Sequence, residues 1–405
     1  MKKKRILQHV QSRIADDWPT VLLVLLGLGL VIAVLWFRLG SLVPGLTISE
    51  ASYLETVTTD SVRLRDVLSR EAIFLPFTFG LYALQAFGES SITALRSIGA
   101  IFGFFSVVSF FLIIQKWHTT RIALLMTLMY LTSAGFLHFA RLADPAAAYL
   151  LFVPLIACAV FFRENKRTTP TVIALLIIVL TSLFLPGLIW LLLVGMFWQR
   201  RALAKLVKNL SRPTILGITL SSIIAIGLLG LSLYNDPSNV HRWLGLPEQL
   251  PSLTEFLRNL INIPQLLFWQ GPKDPAVWVG ISGMIDVFVS VLFLLGCYAY
   301  YFQRKLDRTK VLFGSTLILS ILVALNGPVP IFILVACVYL VAAAGMSLLL
   351  QQWFTVFPRN PFARSAALIL IVACVSFATF YNTQRYFVAW PKTPATRAVF
   401  QQQPE

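Results

Sequence analysis

The chain has 405 residues, of which 58% are hydrophobic and only 12% are charged. Soluble domains carry about 25% charged residues, so the composition excludes an ordinary soluble protein and indicates a polytopic membrane protein. The formal net charge of +16 does not indicate nucleic acid as a partner, because the basic residues stand in short clusters between apolar runs. Such clusters are typical of cytoplasmic loops beside anionic lipid, and we expect membrane lipids and not nucleic acid as partners.

The chain begins with a basic segment, residues 1–17, which we predict to lie in the cytoplasm. Residues 18–37 follow without a single charge. About 20 apolar residues span a bilayer, and no small-residue cleavage site follows this run. The pattern therefore predicts a retained signal anchor that opens a membrane domain covering residues 18–384.

A mixed, polar segment at residues 38–96 comes next and contains one apolar stretch at 73–88. If this stretch crossed the membrane, the short basic loops that follow would face outward, contrary to the preference of such loops for the cytoplasm. We therefore predict that 38–96 is an outer loop and that 73–88 is a helix on the outer surface.

The rest of the chain alternates uncharged runs with short basic loops. The runs at 168–199 and 311–358 are too long for one crossing, and Pro186-Gly187 and the segment 326–330 predict that each turns back as a helical hairpin. We predict an all-α fold with about eleven membrane crossings. A second outer loop is expected at 236–274, and a short outer tail at 385–405.

Two outer segments contain acids that could act chemically. Glu50 follows the first crossing, and a carboxylate at the membrane surface could accept a proton from an acceptor hydroxyl. Thr47 and Glu50 also match a capping box, in which both residues only begin a helix. Asp144 lies in the predicted outer segment after the third crossing, where it could join Glu50 around a metal or an acceptor, or simply pair with Arg141.

Arg96 and Arg141 are candidate ligands for a lipid-linked phosphate, because a guanidinium binds phosphate in a forked geometry. Arg96 could instead extend its side chain to the membrane interface. Asp286, an acid inside an apolar run, is a further candidate because ionisable residues at that depth are often functional.

Several of these residues occur in motifs that resemble a known family. They are Glu50-Ala51-Ser52-Tyr53, the segment 75–82 with a proline and a tyrosine, the segment 94–100 around Arg96, and Ala140-Arg141-Leu142-Ala143-Asp144. Over residues 18–162 the chain resembles the GT-C class of membrane glycosyltransferases, in the branch of protein mannosyltransferases and aminoarabinose transferases (glycosyltransferase family 39). Two positions depart from the family pattern, which has Asp-Glu at 49–50 and a Lys-Pro-Pro-like motif at 75–77.

The resemblance implies an enzyme that moves a hexose or pentose from a polyprenyl-phosphate carrier to an unidentified acceptor at the outer face of the cell membrane. It implies catalytic roles for Glu50 and Asp144, which could also hold a divalent cation such as Mg, Mn or Zn. Arg96 and Arg141 would bind the donor phosphate. We place Tyr53, Glu71 and Tyr82 in the predicted acceptor pocket.

Two other functions fit the sequence. A flippase or transporter of lipid-linked saccharide would have charged residues along a path through the membrane, and only Asp286 is a candidate of that kind. A non-catalytic membrane scaffold would have no pocket near Glu50 and Asp144.

Overall fold

The computed structural model describes residues 18–58, 72–163, 169–278 and 280–401. The described residues are helical, and the one β-bridge joins Gln270 and Ser282. The all-α prediction is therefore confirmed for this part of the chain. The first helices in chain order are α1 Trp18–Trp36, α2 Ile48–Thr58, α3 Leu75–Ala86, α4 Ile92–Trp117, α5 Thr120–Thr132 and α6 Ala134–Ala140.

A 3-10 helix, Pro145–Leu151, leads from this first group into the second. The remaining helices are α7 Phe152–Arg163, α8 Thr169–Leu183, α9 Leu188–Asn209, α10 Arg212–Asn235, α11 Asn239–Trp243, α12 Leu253–Phe268, α13 Val287–Phe302, α14 Asp307–Ala324, α15 Ile333–Val356, α16 Pro361–Gln384 and α17 Pro394–Val399. A π-helical turn, Arg385–Ala389, and a short turn, Trp390–Lys392, extend α16.

Both long apolar runs are broken where the hairpin turns were predicted. The break between α8 and α9 contains Gly187, whose φ of 74° suits a residue without a Cβ atom. The break between α14 and α15 contains Asn326 with φ 57°, and asparagine tolerates this conformation better than most residues. Proline and glycine therefore divide each long apolar run as the sequence indicated.

The predicted count of about eleven crossings is not confirmed. Within the described residues, four helices are long and apolar enough to cross a membrane, namely α4, α10, α15 and α16 with its extension to Lys392. The bent pair of α5 and α6 raises the number to five, and the two helices meet at an angle of 62°. Several other apolar helices have only 10–17 residues. The uncharged runs of the sequence are therefore longer than the continuous helices that they form.

The core is centred on α15, whose residues from Ile333 to Ser347 are all buried. Its Gly345 lies directly against the Leu292 carbonyl of α13, and Gly296 of α13 lies against the Val341 carbonyl of α15. Small residues allow two membrane helices to approach this closely. α15 is therefore a rigid centre around which the shorter helices pack.

Candidate functional site

Glu50 and Arg96 form a buried ion pair where the segment after α1 meets α4. The Arg96 Nε donates to Glu50 Oε1 at 2.9 Å, and its Nη2 donates to Oε2 at 2.9 Å. The guanidinium also donates to the Leu39 and Gly45 carbonyls. Glu50 is 2% exposed and Arg96 is 1% exposed. Arg96 therefore holds the loop after α1 closed rather than extending to the membrane interface.

Glu50 also accepts backbone hydrogen bonds from two different segments. Thr47 N donates to Oε2 at 3.1 Å, while the Thr47 hydroxyl accepts from Glu50 N, so the predicted capping box is formed. Ala143 N donates to Oε1 at 3.1 Å. The segment after α1 and the segment before Asp144 thus meet at one carboxylate.

The surroundings of Glu50 favour its ionised form. Burial by itself raises the pKa of this carboxyl, but the hydrogen bonds and the charge of Arg96, with the two backbone N–H groups, bring the pKa below its usual value. A carboxylate with a lowered pKa is a weak proton acceptor. These contacts favour a positioning role for Glu50 over the predicted role as a general base.

Arg141 binds the carboxyl end of α1. Its Nη1 donates to the Val34 carbonyl at 2.8 Å, and its Nη2 donates to the Phe37 carbonyl at 2.5 Å. Cations stabilise the carboxyl end of a helix in this way. The guanidinium carbon also lies 4.7 Å from the ring centre of Phe387 and 5.4 Å from that of Tyr386. The two terminal nitrogens of Arg141 therefore bind backbone carbonyls and not Asp144, while its buried Nε has no hydrogen-bond partner among the described residues.

Asp144 begins the 3-10 helix, and its Oδ1 accepts from Ala146 N at 2.6 Å. Its side chain is half-buried. Burial raises the pKa of this carboxyl, and the nearby charge of Glu50 raises it further, against the lowering effect of the Ala146 N–H. A raised pKa makes the carboxylate a stronger proton acceptor, so Asp144 is better suited than Glu50 to acid–base work.

A crevice of about 430 Å³ opens beside Pro145, the residue after Asp144, between the segments around α2 and α3 and the segment that follows α10. Tyr53 lines it and packs edge-on against Phe77, with ring centres 5.2 Å apart. The other lining residues include Phe74, Pro145, Asp236, Asn239 and Arg242. The crevice thus combines aromatic walls with an acid, an amide and an exposed cation.

Arg242 is the cation of this crevice, and the sequence did not single it out. Its guanidinium carbon lies 5.7 Å from the ring centre of Phe74. Gly187 N donates to the Trp243 carbonyl, and the Trp243 indole donates to the Leu183 carbonyl. These bonds attach α11 to the turn between α8 and α9, so the position of Arg242 depends on residues far apart in sequence. The sequence showed only that Arg242 lies in the predicted loop 236–274.

The remaining predicted residues have other positions. Tyr82 lies against Phe79, with ring centres 6.4 Å apart, and does not line the crevice. Glu71 lies outside the described residues. Asp286 is the N-cap of α13 and accepts from Val289 N and from the Asn382 amide, so it begins a helix and does not lie deep within one.

The two predicted metal ligands do not by themselves form a cation site in this arrangement. Both oxygens of Glu50 already accept hydrogen bonds from protein groups. Among the described residues no three His, Cys, Asp or Glu side chains converge, whereas Mg²⁺ and Ca²⁺ need several oxygen ligands. The divalent cation stays a prediction, and no step below depends on it.

Aromatic residues between 386 and 400 cover Arg96 and Arg141. We predicted only a short outer tail at 385–405, but Tyr386, Trp390 and Phe400 are each at most 3% exposed. Phe400 lies 6.0 Å from the guanidinium carbon of Arg96, and Tyr386 stacks on Trp390. This segment shields both arginines.

Taken together, the apolar helices of the described residues define a multi-pass membrane protein. Two solved structures are similar to this chain, both of the aminoarabinose transferase ArnT from Cupriavidus metallidurans. The apo structure has a TM-score of 0.53, covering 95% of this chain and 77% of that one at 12% identity. The structure bound to undecaprenyl phosphate has a TM-score of 0.54, covering 93% and 76% at 12% identity.

Identity at this level shows the fold alone. No family model matches the sequence, and no curated protein matches it. The predicted resemblance to GT-C enzymes is therefore confirmed at the level of fold.

Proposed function

We propose that this protein is a glycosyltransferase that moves a sugar from a polyprenyl-phosphate donor to an acceptor hydroxyl in the crevice beside Asp144. The crevice would lie at the outer face of the cell membrane, with the amino terminus of the chain in the cytoplasm. The observation that carries the proposal is the crevice, in which the exposed guanidinium of Arg242 lies against Phe74 and the lining residue Pro145 directly follows Asp144, a carboxyl with a raised pKa. The GT-C-like fold supports it, since one similar structure is bound to undecaprenyl phosphate.

Arg242 would bind the donor phosphate, because its forked donors match phosphate oxygens. The positive charge would also stabilise the phosphate as it leaves with the electron pair of the bond to the anomeric carbon. The tyrosine and phenylalanine rings of the crevice would pack against the sugar and the first isoprene units. A lipid-linked donor leaves the bilayer only at a cost of about 0.8 kcal/mol per CH₂ group, which favours a site at the membrane surface.

Asp144 would accept the proton of the acceptor hydroxyl while the acceptor oxygen bonds to the anomeric carbon. Such a displacement inverts the configuration at that carbon. Glu50 would hold the Ala143 N–H and thereby fix the segment that carries Asp144, with Arg96 balancing its charge.

Binding of the carrier lipid gives the most direct test. We expect the purified full-length protein to bind undecaprenyl phosphate, and Arg242→Gln to weaken that binding at least tenfold. Arg258 is the matched control, because it is an exposed arginine on α12, in the same outer segment, and does not line the crevice. Equal binding by the protein and both variants would refute the role of Arg242.

Transfer itself needs a separate measurement, with a panel of undecaprenyl-phosphate-linked sugars and inversion at the anomeric carbon as the readout. Carrier binding without transfer to any acceptor would favour a transporter or a scaffold. Against the transporter, the buried part of α15 is apolar apart from Tyr339 and Ser347 and contains no charged residue, whereas a saccharide path needs polar groups through the membrane depth.

A further inference from the structure

A second cavity lies far from the crevice, at the other end of α9. Trp190, near the start of α9, donates to the Leu244 carbonyl on the crevice side. Arg201 lies eleven positions further along, which corresponds to about 16 Å of helix. The groove beside it has a volume of about 330 Å³ and runs between α7, α9 and α14. It is therefore separate from the proposed active site.

The groove has an apolar floor and a basic mouth. Ile156 of α7, Val194 and Gly195 of α9, and Gly314 and Ile318 of α14 form the apolar part. Arg201, in the last turns of α9, and Lys310, in the first turn of α14, also line the groove and are exposed. None of the lining residues is acidic.

A shallower depression of about 440 Å³ lies beside the same part of α9, lined by Phe197 and Arg200. Val194, Trp198 and Arg201 line both depressions, so they form a ridge with a cation at its end. Tryptophan beside arginine and lysine is typical of the level at which lipid headgroups lie. An amphiphile could therefore place one chain on each side of this ridge.

We propose that this groove binds an anionic phospholipid, with an acyl chain along the apolar floor and the phosphate between Arg201 and Lys310. Charge complementarity identifies the occupant, because two cations with no lining acid favour a headgroup of net negative charge over a zwitterionic one. The site is independent of the proposed sugar transfer.

Two glycines keep the groove open. A Cβ atom added at Gly195 or at Gly314 would meet no atom within 4 Å, and neither residue has a positive φ. Alanine is the better helix former at such positions, so local helix stability does not account for the glycines. A leucine at either position would extend into the groove without backbone strain and would exclude an acyl chain.

The test is native mass spectrometry of the full-length protein, titrated in detergent with phosphatidylglycerol and with phosphatidylcholine of the same acyl chains. We expect preferential retention of phosphatidylglycerol. Arg201→Gln with Lys310→Gln should weaken it on the order of tenfold, since each basic residue contributes to anionic lipid binding. Gly195→Leu with Gly314→Leu should remove retention of the lipid at this site.

Matched controls separate this site from general attraction of anionic lipid. Arg212→Gln removes an exposed arginine at the start of α10, and Gly227→Leu adds bulk at another open helical glycine outside the groove. Both should retain phosphatidylglycerol as the unmodified protein does. Equal retention of the two lipids, or equal losses in the test and control variants, would overturn the proposal. The exposed charge variants decide the matter even if the leucine variants fail to fold.

Discussion

Replacing Glu50 by glutamine tests whether this residue is structural or catalytic. The substitution keeps the shape of the side chain but removes the negative charge that faces the 1% exposed guanidinium of Arg96. Breaking one partner of a buried ion pair leaves the other charge uncompensated and typically costs about 3–5 kcal/mol. The Leu39 and Gly45 carbonyls still accept from Arg96, so we expect a loss near 3 kcal/mol.

Removing both charges should recover much of that loss, because a buried ion pair replaced by uncharged groups is often close to neutral. We expect Glu50→Gln with Arg96→Met to be more stable than Glu50→Gln alone. The assay is reversible unfolding of the four proteins of this double-mutant cycle in detergent micelles, with a coupling energy above about 1 kcal/mol as the expected result.

Two results would contradict this reasoning. Full stability of Glu50→Gln would mean that the ion pair does not hold the loop. If that variant also lost all sugar transfer, the original prediction of Glu50 as a general base would be restored and the positioning role would be wrong.

Three further predictions concern pH, the second acid and the core. The pKa of Glu50 is lowered in the folded state. Its contribution to the free energy of unfolding should therefore be complete above the unfolded pKa of about 4.3 and be lost as the pH falls through the lower folded pKa. The stability of Glu50→Gln should not show this loss in acid. Asp144→Asn should reduce the rate of sugar transfer about 10²-fold or more and change the free energy of unfolding little, since asparagine also caps helices well. Because the pKa of Asp144 is raised, the activity of the unmodified protein should fall in acid at a pH above the usual aspartate range. The same pH profile in the variant would remove Asp144 from the reaction. Gly345→Ala should lower the free energy of unfolding by about 1–3 kcal/mol, because its Cβ atom would overpack against the Leu292 carbonyl. Gly227→Ala, with open space around it, should not destabilise the protein. Equal effects of the two variants on thermal unfolding would contradict the close packing of α13 and α15.

The positions at which helices begin and break were the part of the structure that the sequence predicted best. Pro186-Gly187 and the 326–330 segment end helices by backbone geometry, and Thr47 with Glu50 forms a capping box, so short patterns were sufficient. Apolar length was a poorer guide to membrane crossings, because hydropathy does not register a bend such as the one at Ser133. The length of each continuous helix depends on packing and was not visible in the run itself.

The partners of the charged residues could not be read from the sequence. Arg96 and Glu50 are 46 positions apart, and Arg141 binds carbonyls more than 100 positions earlier. Arg242 enters the crevice only because Gly187 and Trp243 join two distant segments. Which cation faces a buried carboxylate and which faces an open crevice is a property of the tertiary fold.

The aromatic cover over Arg96 and Arg141 also affects how the protein is made. Arg96 and Arg141 come far before Tyr386, Phe387 and Phe400 in the chain, so these rings leave the ribosome much later. Because folding during synthesis proceeds from the amino terminus, the two guanidinium groups are made before these rings can contact them. A chain released before residue 385 would keep the hydrogen bonds of both arginines to Glu50 and to the backbone carbonyls but would lack their aromatic cover.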